Sequence, residues 1–218
     1  MSRIVYLHGF ASGPGSKKAQ FFRSRLSQLG IGLEIPDLAE GNFAGLTITA
    51  QLGVIARASR SEPVTLIGSS MGGYLAALSA ARHPEVEKLV LMAPAFCFLK
   101  RWMETLGPST MERWKSTGAL DFFHYGEGRA VPLGYQLIQD AERYEDYPGS
   151  TQPAIIFRGK NDTVVPAEYS VAFAGRHRNA KLRLLESDHE LLNVLDDMWI
   201  ETEEFLFGAQ AGGSSTRS

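Results

Sequence analysis

The sequence has little of what disulfides, membrane spans and nucleic-acid sites require. Its single cysteine, Cys97, excludes an intrachain disulfide. No apolar run is long enough to cross a bilayer, and the first residues lack the apolar core and cleavage site of a signal peptide. The formal net charge of -2 gives no electrostatic reason to expect nucleic acid or an anionic membrane as a partner. The sequence therefore predicts a cytoplasmic protein with neither kind of partner.

What the chain does have is enough apolar material for a core. Its 218 residues, 44% of them hydrophobic and 21% charged, fit one domain of moderate size. The predicted strands are residues 4–7, 32–35, 64–67, 86–92, 154–157 and 182–185, and the predicted helices are 16–29, 47–58, 73–82, 166–174 and 191–207. Continuous apolar strands that alternate with helices indicate an α/β fold with a mostly parallel sheet covered on both faces.

The most informative stretch is residues 68–72, which read Gly-Ser-Ser-Met-Gly and have the form G-x-S-x-G. An apolar run at 64–67 precedes them and a helical run of small residues follows, which is the context of a nucleophile elbow. Such a turn strains the central residue and requires glycine at Gly68 and Gly72 to avoid collisions. Ser70 is therefore the predicted nucleophile, the alternative being a tight strand-to-helix turn without chemistry.

A serine hydroxyl is a weak nucleophile at neutral pH and needs an adjacent base. The chain has five histidines. His8 ends the first strand and His83 lies in a surface turn. His124 lies in an insertion and His177 in a charged stretch. His189 directly follows the last predicted strand, where an open parallel sheet places its functional site. His189 is therefore the predicted base.

The acid that orients this base is expected on a neighbouring loop. Asp162 lies in residues 159–166, Gly-Lys-Asn-Asp-Thr-Val-Val-Pro, just after the next-to-last strand. The other suitable loop, after Met92, begins Ala-Pro-Ala and offers no carboxylate. A structural alternative is that Asp162 only caps the helix that Pro166 begins. Serine, aspartate and histidine then follow one another in the chain order of α/β-hydrolases.

Negative charge that develops on a substrate oxygen needs preorganised donors. The backbone N–H of Met71 is the first predicted donor. The second is the N–H of Phe10, in the glycine-rich loop 8–15 that follows the first strand. A phosphate-binding loop is the alternative for 8–15, but the segment lacks both the G-x-G-x-x-G spacing and the Gly-Lys-Ser/Thr of a P-loop.

Together these residues resemble the α/β-hydrolase superfamily over about the first 207 residues. Four motifs match in order: His-Gly-Phe at 8–10, the elbow at 68–72, Gly-x-x-Asp-x-x-Val-Pro at 159–166 and Asp-His at 188–189. The stretches at 6–18 and 67–74 are also similar to the small bacterial YqiA-like esterases. That resemblance implies hydrolysis of carboxylic esters or thioesters, with a triad at Ser70, Asp162 and His189.

Two segments interrupt the alternation of strands and helices. Residues 94–148 form a long insertion, predicted to be a lid that leaves the substrate preference open. Residues 208–218 are rich in glycine and serine and are predicted to be a disordered tail, which leaves 1–207 as one hydrolase domain. Most aromatic residues of the insertion are expected to form its own core. Four side chains are predicted to line an acyl pocket: Trp102, Met103, Trp114 and Phe122.

The sequence thus predicts a serine carboxylesterase or thioesterase that works through an acyl-enzyme intermediate. It is expected to take a small-molecule acyl substrate and to need no metal or organic cofactor. Two alternatives stay open at this stage. The same machinery could hydrolyse or cleave carbon–carbon bonds, or the chain could be a non-catalytic receptor or scaffold of the same fold. The complete set of triad residues argues against the scaffold.

Overall fold

The computed structural model describes residues 2–208, and its strands form one large sheet and one small one. In chain order the strands are β1 (Arg3–Leu7), β2 (Leu33–Glu34), β3 (Val64–Ser69), β4 (Val86–Met92), β5 (Ala119–His124), β6 (Arg129–Gly134), β7 (Ala154–Gly159) and β8 (Ala180–Leu185). The large sheet has the order β2-β1-β3-β4-β7-β8, and all its neighbouring pairs are parallel. The parallel sheet expected from the sequence is therefore confirmed.

Helices cover both faces of this sheet. They are α1 (Lys17–Gln28), α2 (Ile48–Ser59), α3 (Met71–Ala80), α4 (Phe98–Thr117), α5 (Gln136–Ala141), α6 (Ala167–Arg176) and α7 (Leu195–Phe207). Successive side chains of a strand point to opposite faces, so Val5 and Leu7 enter one apolar core while Ile4 and Tyr6 enter the other. Residues of α2, α3 and α6 complete the first core, and residues of α1 and α7 complete the second.

Some element boundaries differ from the predicted ones because local backbone geometry decides them. The Thr47 hydroxyl accepts the Ala50 N–H at 3.0 Å, so Thr47 caps α2 rather than beginning it. The segment predicted as one helix over 191–207 starts with Leu191 in the left-handed region, at φ 57°. A short 3-10 turn over Leu192–Val194 follows, and α7 begins only at Leu195.

The insertion predicted at 94–148 contains α4, the β5–β6 hairpin and α5, none of which was predicted from the sequence. Helix α4 breaks at Gly107, whose φ of 73° and ψ of 162° are not helical. Pro108 then starts the second half, since proline has no N–H to donate to the preceding turn. Strands β5 and β6 pair antiparallel, from Ala119 opposite Gly134 to His124 opposite Arg129.

The remaining predictions on organisation concern the end of the chain and the membrane. Of the tail predicted at 208–218, residues 209–218 lie outside the described residues. Within residues 2–208, no helix combines the length and the apolar character that crossing a membrane would take.

Candidate active site

The turn between β3 and α3 has the geometry expected of a nucleophile elbow. Ser70 stands alone between the two elements, with φ 53° and ψ −116°, a conformation that L-residues rarely adopt. A Cβ on Gly68 would lie 2.3 Å from the Gly72 carbonyl oxygen, and one on Gly72 would lie 2.1 Å from the Leu7 carbonyl oxygen. Both contacts are with backbone, so glycine is sterically required at both positions.

The structure brings together the three residues predicted as nucleophile, base and acid. His189 Nε2 lies 3.0 Å from the Ser70 Oγ, and His189 Nδ1 lies 2.7 Å from the Asp162 Oδ2. In this arrangement Nδ1–H donates to the carboxylate and Nε2 is left to accept the serine hydroxyl proton. The Asp162 side chain is fully buried, whereas that of His189 is 15% exposed.

Four neighbours hold the Asp162 carboxylate in place. Its Oδ1 accepts the backbone N–H groups of Val164 and Val165 at 2.8 and 2.9 Å, and its Oδ2 faces His189 and Arg158. Burial by itself raises the pKa of the Asp162 carboxyl, but the hydrogen bonds from His189 and Val165 and the charge of Arg158 outweigh it. The pKa of Asp162 therefore lies below its usual range, and the group is ionised at neutral pH.

The loop that carries His189 is fixed from two sides. It lies directly on the end of β7, because a Cβ on Gly159 would stand 2.2 Å from the Asp188 carbonyl oxygen. The Asp188 carboxylate accepts the Glu190 N–H at 2.9 Å, and Lys18 of α1 donates to the Glu190 carbonyl oxygen at 2.8 Å. These contacts restrain the imidazole without occupying its Nε2.

The two predicted oxyanion donors both lie beside the nucleophile. Met71 is the first residue of α3, so its N–H has no acceptor within the helix. The Phe10 N–H donates to no acceptor among residues 2–208. A Cβ on Gly9 would lie 3.5 Å from the Ser70 Cβ, which puts the loop carrying Phe10 in contact with the elbow.

His8, also in this loop, has a structural role. Its two ring nitrogens are taken up by the Gly9 carbonyl oxygen at 3.0 Å and by the Leu38 N–H at 3.1 Å. Burial lowers the pKa of His8, which keeps the ring neutral with Nδ1–H as donor and Nε2 as acceptor. The ring therefore fixes the start of the glycine-rich loop 8–15.

A cavity of about 1390 Å³ is lined both by Ser70 and by the insertion. It is larger than the roughly 300–1,000 Å³ of most ligand pockets. One wall is aromatic: the Phe10 ring centre lies 4.9 Å from that of Trp102 and 5.4 Å from that of Phe43, and Phe43 lies 4.8 Å from His124. Charged residues of both signs also line the cavity: Lys17, Lys18, Arg101, Asp37, Glu127, Asp188 and Glu190. The cavity therefore favours an apolar group without a marked charge preference.

Of the four side chains predicted to line the pocket, only Trp102 does so. Met103 follows Trp102 along α4, so its side chain points away from the cavity and is 52% exposed. Trp114 is fully buried in the insertion and donates its Nε1–H to the Leu133 carbonyl oxygen at 2.8 Å. Phe122 stacks on Trp102 at 5.1 Å, behind the lining. Met103, Trp114 and Phe122 therefore lie outside the lining of this cavity.

The cavity also contains residues that the sequence did not indicate. Phe43, Phe98 and His124 line it, and Arg101 lies at its edge, donating to the Val164 carbonyl oxygen at 3.1 Å. The first three are brought in by the 3-10 turn at 43–45, by α4 and by the hairpin, none of which was predicted. Within residues 2–208, no group of three or more His, Cys, Asp or Glu side chains could hold a metal ion.

Solved structures of the same architecture include several hydrolases. Est1E from Butyrivibrio proteoclasticus with bound ferulic acid has a TM-score of 0.77 at 22% identity, over 94% of this chain and 88% of that one. The mouse alpha/beta hydrolase domain-containing protein 10 has a TM-score of 0.74 at 21% identity, over 93% and 90%. The esterase Pf2001 from Pyrococcus furiosus has a TM-score of 0.64 at 18% identity, over 94% and 82%. These likenesses show that the chain has the α/β-hydrolase fold.

No curated protein matches the chain significantly. A family model does: that of UPF0227, described as an uncharacterised protein family, matches residues 3–204. The match spans almost the whole described chain and agrees with the resemblance to YqiA-like proteins noted in the sequence. The chain therefore belongs to the UPF0227 family.

Proposed function

We propose that this protein is a serine hydrolase that cleaves carboxylic esters or thioesters through an acyl-enzyme intermediate. The observation that supports this most directly is the chain of two hydrogen bonds from Ser70 through His189 to Asp162, 3.0 and 2.7 Å long. It ends in a buried carboxylate and begins at a serine held in a strained conformation. A turn without chemistry needs neither of these features.

In the proposed reaction the Ser70 Oγ attacks the acyl carbonyl carbon while His189 Nε2 takes the hydroxyl proton. The N–H groups of Phe10 and Met71 donate to the oxygen that becomes negative. The bond to the leaving oxygen or sulfur then breaks, and His189 returns the proton to it. A water molecule, deprotonated by His189, attacks the acyl-enzyme in the same way, releasing the acid and restoring the Ser70 hydroxyl.

We infer that the insertion acts as a lid and that the acyl group it covers is apolar, aromatic groups included. Rings of the oxyanion loop and of α4 make one continuous wall beside Ser70, from Phe43 through Phe10 to Trp102 and Phe98. The fold neighbour crystallised with ferulic acid makes hydroxycinnamate esters a suitable second substrate set beside simple alkyl esters.

A serine-directed fluorophosphonate probe tests the proposal. We expect it to label the wild-type protein and the Ser69→Ala variant but not Ser70→Ala, whose turnover should fall by about a million-fold. Ser69 is the matched control, since it ends β3 and is only 4% exposed. The reverse labelling pattern would show that Ser69, not Ser70, is the nucleophile. A wild-type protein that is not labelled would favour a non-catalytic scaffold.

The class of substrate needs a separate comparison. Simple esters, acyl-CoA thioesters and diketones are offered to unlabelled, folded protein under the same conditions. We expect turnover of esters or thioesters that is lost in Ser70→Ala. Turnover of diketones alone would instead support carbon–carbon bond hydrolysis by the same residues.

A further inference from the structure

The next-to-last residue of β7 is Arg158, a type of residue that an apolar interior rarely contains. All six residues of the strand, Ala-Ile-Ile-Phe-Arg-Gly, are buried, and Arg158 is fully so. Arginine is almost never fully buried unless its charge is paired, because removing a charge from water is costly. The site described above makes no use of Arg158 beyond its effect on the acid, so its burial calls for an explanation.

Among residues 2–208, Asp162 carries the only carboxylate within 4 Å of the Arg158 guanidinium. The Arg158 Nη1 lies 3.0 Å from the Asp162 Oδ2, and both side chains are fully buried. No guanidinium nitrogen has an acceptor in good hydrogen-bond geometry among residues 2–208. The carboxylate is therefore what compensates the buried cation, and it can do so only while it is ionised.

The same carboxylate oxygen also orients the base. His189 Nδ1 lies 2.7 Å from the Asp162 Oδ2 that faces Arg158, while Oδ1 is occupied by two backbone N–H groups. We propose that Arg158 is a positioning residue of this triad: its guanidinium keeps Asp162 ionised and fixed in the dry interior, and shares with His189 the oxygen that orients the imidazole. This inference rests on the proposed function of the site.

One consequence can be measured as a pH dependence. When His189 is protonated, two cations share one carboxylate oxygen and repel each other. Lys18 of α1, which contacts Glu190, adds a positive charge beside the same loop, whereas Asp188 and Glu190 on that loop add negative ones, as Asp162 does. Removing the Arg158 charge should therefore move the acid limb of the activity profile to higher pH, by about one unit.

The experiment measures the rate of fluorophosphonate labelling as a function of pH and compares wild type, Arg158→Met and Arg158→Lys. We expect the midpoint of the acid limb to rise by about one pH unit in Arg158→Met and to stay near the wild-type value in Arg158→Lys, which keeps the charge. Arg183→Met is the matched control: Arg183 lies opposite Phe157 on the neighbouring strand and pairs with Glu201 at 2.7 Å at the surface. The midpoint of the acid limb should be the same in Arg183→Met as in the wild type.

A folded fraction that stays constant over the pH range lowers the labelling at every pH without moving the midpoint, because only folded protein is labelled. If Arg158→Met yields no folded protein, Arg158→Gln replaces it in the same measurement. Labelling that falls equally at every pH, with an unmoved midpoint, would show a purely structural role and overturn the inference. A wild type that is never labelled would instead refute the proposed function itself, and the inference with it.

Discussion

Replacing Asp162 with asparagine tests the geometry of the site atom by atom. In the wild type, Oδ1 accepts the N–H groups of Val164 and Val165 at 2.8 and 2.9 Å. The amide oxygen of Asp162→Asn will keep that place, because only an oxygen can accept both. The amide NH₂ is then forced towards His189, where Nδ1 must become an acceptor. The proton moves to Nε2, which faces Ser70 and can no longer take the hydroxyl proton.

The expected kinetic effect is large. A wrong imidazole tautomer of this kind lowers kcat by about 10⁴-fold in a serine protease, which corresponds to about 5.4 kcal/mol. The stability should fall as well, because Arg158 loses the carboxylate that compensates it. Breaking a buried ion pair from one side costs about 3–5 kcal/mol.

The assay is kcat/KM on a p-nitrophenyl ester, together with urea unfolding of the same preparations. Asp188→Asn is the matched control: it makes the same change one residue from His189, but Asp188 contacts backbone N–H groups of its own loop. That variant should keep most of the activity. A wild-type rate in Asp162→Asn would refute the assignment of the acid, and a large loss in Asp188→Asn would point to Asp188 instead.

Three further predictions follow from the same geometry. Gly72→Ala should not fold, since its Cβ would lie 2.1 Å from a backbone oxygen, whereas Gly175→Ala in α6, with nothing within 4 Å, should raise the unfolding temperature slightly. Because the folded pKa of Asp162 is lowered, its contribution to stability is complete above the unfolded value of about 3.9 and is lost as pH falls through the lower folded value. Urea unfolding should therefore show the gap between wild type and Asp162→Asn narrowing in acid, and a constant gap would contradict this. For p-nitrophenyl esters below their micelle concentrations, kcat/KM should rise by up to about fourfold per methylene from acetate to medium chains and then level. Strict preference for acetate, or a steady climb through palmitate, would show that the aromatic wall does not bound the acyl group.

The elbow and the residues predicted as its partners could be located from the sequence because each rests on a strong local constraint. Gly68 and Gly72 are required by backbone contacts within the turn, so their spacing is readable without knowledge of the rest of the fold. The positions of Asp162 and His189 follow from the order of strands, since the carboxyl ends of parallel strands meet at one edge. That order could be predicted because the strands are continuous apolar runs.

The pocket could not be predicted in the same way, because its lining depends on how the insertion folds. Trp102 and Met103 are adjacent and both apolar, yet in α4 Trp102 points into the cavity and Met103 points outward. The sequence does contain a weak signal for the hairpin, since Gly126 and Gly128 separate two short runs with apolar residues, but a proline such as Pro132 disfavours a strand. A two-stranded sheet tolerates that proline at its edge.

Arg158 shows a different limit of sequence reading. Hydropathy ended the strand at Phe157, because an arginine does not belong to an apolar run, yet β7 continues to Gly159. The charge is tolerated because its partner, Asp162, is four residues ahead on a loop that folds back over the strand end. A charged residue at the end of a buried strand, followed closely by a candidate catalytic acid, is the signal that could have identified it.

The insertion contacts the loop 8–15 at two points, which couples the proposed lid to the proposed oxyanion donor. Tyr125, at the tip of the hairpin, donates its backbone N–H to the Ala11 carbonyl oxygen at 2.7 Å, one residue from Phe10. The Phe10 ring packs edge-on against Trp102 of α4, with 4.9 Å between ring centres. Because the side chain that shapes the acyl wall and the N–H proposed to stabilise the oxyanion belong to the same residue, an acyl group that displaces the ring also displaces the donor. Discrimination between acyl groups should therefore act on kcat as well as on KM.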